Sequence, residues 1–116
     1  MITVIVTGRT ARAFSDDVVT IESAGFPVRF VFSDEWEGLE KTAYFAAGNI
    51  WVDVQLNEDS CSLPAAVLTA SGSLRLGVYG FRSGVAIPST RTEVLVLKGV
   101  TSEDLAALNP VDLQNK

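Results

Sequence analysis

Histidine is absent from this 116-residue sequence, and cysteine occurs once, at Cys61. The missing imidazole removes Ser-His-Asp and Cys-His catalysis, histidine general bases and histidine metal ligands together. A single thiol excludes an intrachain disulfide and a cysteine-rich zinc site, and it fits folding in a reducing cytosol. Cys61 lies between Ser60 and Ser62 with no base near it in sequence, so it reads as a quiet, partly buried thiol. No run approaches the roughly 18 consecutive apolar residues needed to cross a bilayer. The segment Met1–Thr7 has neither a basic stretch nor a long apolar one and reads as a strand, not a signal peptide. Positive charge is scarce: nine Lys and Arg stand against fourteen Asp and Glu, the net charge is −5, and the bases are scattered. An acidic domain repels phosphate, so nucleic acid and anionic membrane are poor partners.

Carboxylates remain as possible catalytic groups. Asp34, Glu35, Glu37 and Glu40 crowd one connection, while Asp53, Glu58 and Asp59 flank another. Both groups belong to turns, where acids are simply well solvated. Asn57 and Asp59 lack the rest of a calcium-loop pattern. Gly72, Gly77, Gly80 and Gly84 are followed by no Gly-Lys-Ser/Thr and open no helix, so they form no phosphate cradle. The expectation is a protein that is not an enzyme and holds no cofactor and no metal.

What the sequence does contain is apolar residues at a period of two. They make up 47% of the chain with the other hydrophobics, enough for one core without staples. Ile2, Val4 and Val6 share one face, as do Val28, Phe30 and Phe32 after Pro27. A polar stretch with Arg9, Arg12, Asp16 and Asp17 separates them, followed by the β-branched run Val18–Ile21. Lys41–Ala46 and Ile50–Leu56 read as a hairpin about Gly48-Asn49, with Val52 and Val54 inward and Trp51, Asp53 and Gln55 outward. Cys61–Leu63 reads as a short strand and Pro64–Leu68 as a helical turn. Gly72–Phe81 puts Leu74, Leu76 and Val78 inward and Tyr79 outward. Val85–Pro88 and Thr92–Lys98 complete seven or eight strands. The fold class predicted is all-β: an antiparallel β-sandwich first and a partly closed barrel second, spanning 1–100, with a short helix at Ser102–Leu108 and a polar tail in 101–116. The core expected is Val4, Phe30, Phe32, Phe45, Val52, Val54, Leu76, Val78 and Val96.

Aromatic residues at solvent-facing positions are the candidate contacts. Trp51 and Tyr79 fall outward by alternation and Trp36 lies in a connection. Exposed Trp and Tyr commonly anchor interfaces. All three are candidate interface residues, although a Trp in a short connection also commonly lids one end of a sandwich. A row of such rings serves protein or sugar equally well.

The run Phe30-Val31-Phe32-Ser33-Asp34-Glu35-Trp36-Glu37-Gly38-Leu39-Glu40-Lys41-Thr42-Ala43-Tyr44-Phe45 resembles small proteins of phages and prophages of Gram-positive bacteria. Cys61-Ser62-Leu63-Pro64, Leu76-Gly77-Val78-Tyr79-Gly80, Ile87-Pro88-Ser89-Thr90 and the strand ending Lys98-Gly99 extend the resemblance over residues 2 to 100. It implies an immunoglobulin-like or baseplate-type sandwich acting as a virion structural protein, assembled in the host bacterial cytoplasm. Its partners would be other virion proteins of capsid or tail, with the chain homo-oligomeric or multi-copy on a symmetric particle. Many such proteins continue past the last strand, whereas this sequence stops at Lys116. That favours a capsid decoration or fibre-anchoring adaptor over a fibre-bearing part. A tail or baseplate adaptor and a carbohydrate-binding module for host recognition are the alternatives.

Overall fold

A computed structural model describes residues 1–69 and 71–97. The described residues are mostly β, with ten strands: β1 (Ile2–Thr7), β2 (Thr10–Ser15), β3 (Val19–Thr20), β4 (Pro27–Phe32), β5 (Glu40–Ala47), β6 (Ile50–Gln55), β7 (Ser60–Ser62), β8 (Gly72–Arg82), β9 (Val85–Pro88) and β10 (Thr92–Leu97). Single 3-10 turns lie at Asp34–Trp36 and Ala65–Val67. One sheet has the order β2-β1-β4-β7. The other has six strands, β3-β10-β8-β5-β6, with β9 also paired to β8.

Tight turns set the hairpin registers. Gly8 and Gly48 each hold φ near +60° at the first loop position, the geometry of a type II′ turn. They pair Thr7 with Thr10 and Ala47 with Ile50. Ser83 and Gly84 both have positive φ, which gives the type I′ turn joining β8 to β9.

Three expectations need correction. The sheets are mixed rather than antiparallel: β1 runs parallel to β4, and β10 parallel to β3. Because β2 and β4 flank β1, the connection from Ser15 to Pro27 steps over β1, so β4 runs in the direction of β1. Secondly, the polar stretch after Thr7 is itself a strand, β2. Its core-side positions carry Ala11 and Ala13, too small to produce a visible alternation against Arg12 and Phe14. Thirdly, the strand count exceeds seven or eight: β2 is added, and the β-branched run Val18–Ile21 contributes the two-residue β3. The expected helix at 102–108, the tail and the 100/101 boundary lie outside the described residues.

Both sheets contribute to one sandwich-like core. Ile2, Val4, Val6, Val28 and Phe30 meet Ala43, Phe45, Leu74, Leu76, Val78 and Val96, all buried. Three of the expected core residues are only half-buried, namely Phe32, Val52 and Val54. Phe32 ends β4 beneath the Lys41 ammonium, 4.9 Å from its ring centroid. Val52 and Val54 lie on β6, which among the described residues pairs with a strand on one side only. Along β2 the two sheets are stitched together. The threonine hydroxyls of Thr90 and Thr92 accept hydrogen bonds from the Ala11 and Ala13 amides at 2.9 and 3.2 Å.

Candidate functional site

The strand pairings bring the outward residues of β5, β6 and β8 onto one surface. Ala46 lies opposite Trp51, and Tyr44 opposite both Asp53 and Gly77. Tyr44 is therefore the diagonal neighbour of Trp51, within reach of an aromatic ring. Their ring centroids lie 6.3 Å apart with planes 28° from parallel. Trp51 is 62% exposed despite this contact, so one indole face is open to a partner. On β8, Tyr79 packs edge-on against exposed Phe81 at 5.3 Å.

Polar groups sit between these rings. The Tyr79 hydroxyl passes over Thr42 and donates to Asp53 Oδ2 at 2.7 Å. This bond raises the phenol's pKa above the ordinary tyrosine value, because ionisation would oppose a second negative oxygen to the carboxylate. Partial desolvation pushes the same way. The pair holds the Tyr79 ring in one orientation, and Gln55 follows Asp53 on the same face of β6.

Beside the row lies a groove of about 200 Å³ lined by Tyr44, Tyr79, Pro88, Ser89 and Arg91. Its floor is Gly77. A methyl there would stand 3.2 Å from both Ser89 Oγ and Thr90 O, so glycine lets the β9–β10 connection lie across the strand. Ser89 fixes that connection: its amide donates to Val78 O at 2.8 Å, and its hydroxyl accepts from the Val78 amide at 3.0 Å. The groove wall is thus built into the β8 backbone.

Trp36 is not part of this surface. It is 1% exposed and its indole donates from Nε1 to Gly8 O at 2.6 Å, which satisfies the one polar atom it buries. Leu39 and Trp36 fill the space beside Gly80, where a Cβ would meet them at 2.9 and 3.2 Å. Trp36 therefore plugs one end of the core and offers no contact to a partner. Of the three sequence candidates, Trp51 and Tyr79 share a face and Trp36 lies inside.

Sequence reasoning passed over Tyr44, Phe81 and Arg91. The signal for Tyr44 was present, because the Gly48-Asn49 turn fixes it as a diagonal neighbour of Trp51. Arg91 had none, since it reaches the groove only through the fold of the β9–β10 connection. Cys61 is half-buried on β7, where burial pushes its thiol up to about 11. Asp34, Glu35 and Glu37 are solvent-exposed around the Asp34–Trp36 turn, as is Glu40 at the start of β5. Among the described residues no group of three or more His, Cys, Asp or Glu side chains is arranged to hold a metal ion. A comparison with protein-family models gives no match for this chain, and neither does a comparison with curated proteins.

Proposed function

We propose that this chain is a non-enzymatic virion structural protein of a bacteriophage, docking on other virion proteins through the outer face of its six-stranded sheet. The observation that carries the docking surface is the open indole of Trp51, stacked on Tyr44 and continued by Tyr79 and Phe81. Rings fixed on adjacent strands lose little conformational entropy on binding, which suits them as anchors. The phage assignment rests on the sequence resemblance over residues 2 to 100. The finer fold reading, an immunoglobulin-like or baseplate-type sandwich, rests on the same resemblance, with the two parallel pairs as a departure. Within the particle, a capsid decoration or fibre-anchoring adaptor is preferred to a tail or baseplate adaptor. Repeated docking at symmetric sites lets avidity compensate for a modest contact.

The experiment is a binding measurement between the purified chain and intact virions or their isolated major structural protein. Saturable binding at fixed stoichiometry is expected, largely unchanged between about 0.1 and 0.5 M salt because the rings rather than dispersed charges carry it. Trp51→Ala should weaken it by about 2 kcal/mol or more if the indole is central. Absence of binding to every virion component would overturn the reading.

The groove favours one other reading, a carbohydrate-binding module. A carboxylate and a phenol hydroxyl between aromatic rings suit a sugar, whose C–H face stacks while its hydroxyls hydrogen-bond. Binding of purified cell-wall polysaccharide but not of virion proteins, lost in Asp53→Ala, would promote it over docking.

A further inference from the structure

The edges of the two sheets are treated very differently. β2 is covered by the Thr90 and Thr92 hydroxyls. β3 has two residues, β7 three, and β9 four with Pro88 at its end. Short, covered or proline-bearing edges are the usual protections against unwanted strand pairing. β6 is neither short nor proline-bearing; the Ala65–Val67 turn packs beside it, and no described strand pairs with its outer edge. It runs six residues, Ile-Trp-Val-Asp-Val-Gln, without proline, lysine or glycine, and it ends the six-stranded sheet.

Its hydrogen-bonding direction follows from the register. The Leu56 amide bonds to Lys41 O, one step beyond the Thr42–Gln55 pair. Hydrogen-bonded pairs therefore recur at Ala43–Val54, Phe45–Val52 and Ala47–Ile50. Trp51, Asp53 and Gln55 consequently aim their amides and carbonyls away from β5, and these groups bond to no other described residue. The side chains on the core side of this strand are also unfinished: Ile50 is 42% exposed, and Val52 and Val54 are half-buried.

From these features we infer that β6 is a strand-addition edge whose occupant is β6 of a second copy of this chain, paired antiparallel about a two-fold axis. A strand that fits here must be apolar at alternate positions on the core side and amphipathic on the other, and β6 has that pattern. Two-fold pairing uses the same residues on both copies and needs no other complementary partner. The register centred on Val52 sets Ile50 against Val54 and Trp51 against Asp53 of the other copy. It completes the apolar row and keeps the two Asp53 carboxylates from facing each other directly. Centring on Asp53 would place like charges opposite, at a cost. Two short strands bury less than a standard interface, so association is weak in dilute solution and strengthens where copies are concentrated. The inference stands on the edge alone and is independent of the virion reading.

Sedimentation equilibrium of the full chain over a wide concentration range tests it. A reversible monomer–dimer equilibrium is expected. Trp51→Glu, at an exposed position, sets a carboxylate opposite Asp53 of the other copy in this register and should raise the dimer dissociation constant at least about tenfold. Register is tested by oxidative cross-linking of the double variant Cys61→Ala/Val52→Cys. Directly opposed Val52 positions bring Cα atoms to about 4.5 Å, within disulfide range. Reducible dimer should form much faster than in the control Cys61→Ala/Ala86→Cys, whose thiol lies on the exposed part of β9. A chain that stays monomeric throughout, a dimer indifferent to Trp51→Glu, or cross-linking no faster than the control would each overturn the proposal.

Discussion

Tyr79 on β8 is hydrogen-bonded to Asp53 on β6 across the whole width of β5, at 2.7 Å. The bond orients the ring that forms one side of the groove, and it lies on an exposed face where water competes. Asp53→Asn should therefore leave stability nearly intact, within about 1 kcal/mol. It should still bring the Tyr79 phenol down toward its ordinary titration range, since the first cause of its upward displacement is that carboxylate. Ultraviolet titration of the two proteins at high pH checks this, and an unchanged profile would deny the pair its orienting role.

The Cys61 thiol gives a pH dependence with a definite sign. Its folded-state pKa of about 11 lies above the ordinary 9.0, so the folded chain keeps the proton longer than the unfolded chain. Stability from this group is complete below pH 9 and is lost as pH rises toward 11. Tyr79, also displaced upward, adds to the loss at the alkaline end. Denaturant melts between pH 8 and 11 should show falling stability, less steep in Cys61→Ala. In the folded chain at pH 8 the thiol should react sluggishly with a disulfide reagent, and promptly after unfolding.

Core truncations should rank by burial. Phe45 is fully buried between the sheets, and its replacement by Ala should cost about 3–5 kcal/mol. Phe32 is half-buried beneath Lys41, so Phe32→Ala should cost less, about 2 kcal/mol. Chemical denaturation of both variants checks the order, which a reversed ranking would contradict.

The turn from Asn57 to Ser60 carries backbone strain. Glu58 and Asp59 hold φ of 52° and 61°, the left-handed region that side chains other than Asn, Asp and Gly adopt at a cost. Asp59 also pairs with Lys41 at 3.3 Å and should be kept. Glu58→Asn should raise stability by about 0.5–1 kcal/mol, seen as a higher melting temperature.

Much of this fold could be read from residue order, and the misses have physical causes. Gly48-Asn49 fixed a hairpin register, and the alternation through Leu74, Leu76 and Val78 identified the inner face of β8. Pro27 marked a strand start because its missing amide costs nothing there. Strand direction was not legible, because alternation is the same whether a neighbour runs parallel or antiparallel. β2 stayed hidden because alanine supplies little hydrophobic contrast. At the candidate site, Trp51 and Tyr79 were visible as outward residues, while the groove depends on a connection folded over Gly77. Trp36 was ambiguous in sequence, since the slot that takes it is made by Gly80, far along the chain.

The threonine stitching along β2 has a temporal side. Ala11 and Thr90 are 79 positions apart, so on a growing chain the first hairpin emerges long before its hydroxyl partners exist. Until they arrive, the Ala11 and Ala13 amides on that margin can be satisfied by water. Contacts so remote in sequence belong to the non-local set that slows folding of the domain as a whole. The seam is therefore complete only once the chain extends through Thr92. A chain halted before residue 90 lacks both hydroxyls and leaves the outer Ala11 and Ala13 amides of β2 without these partners.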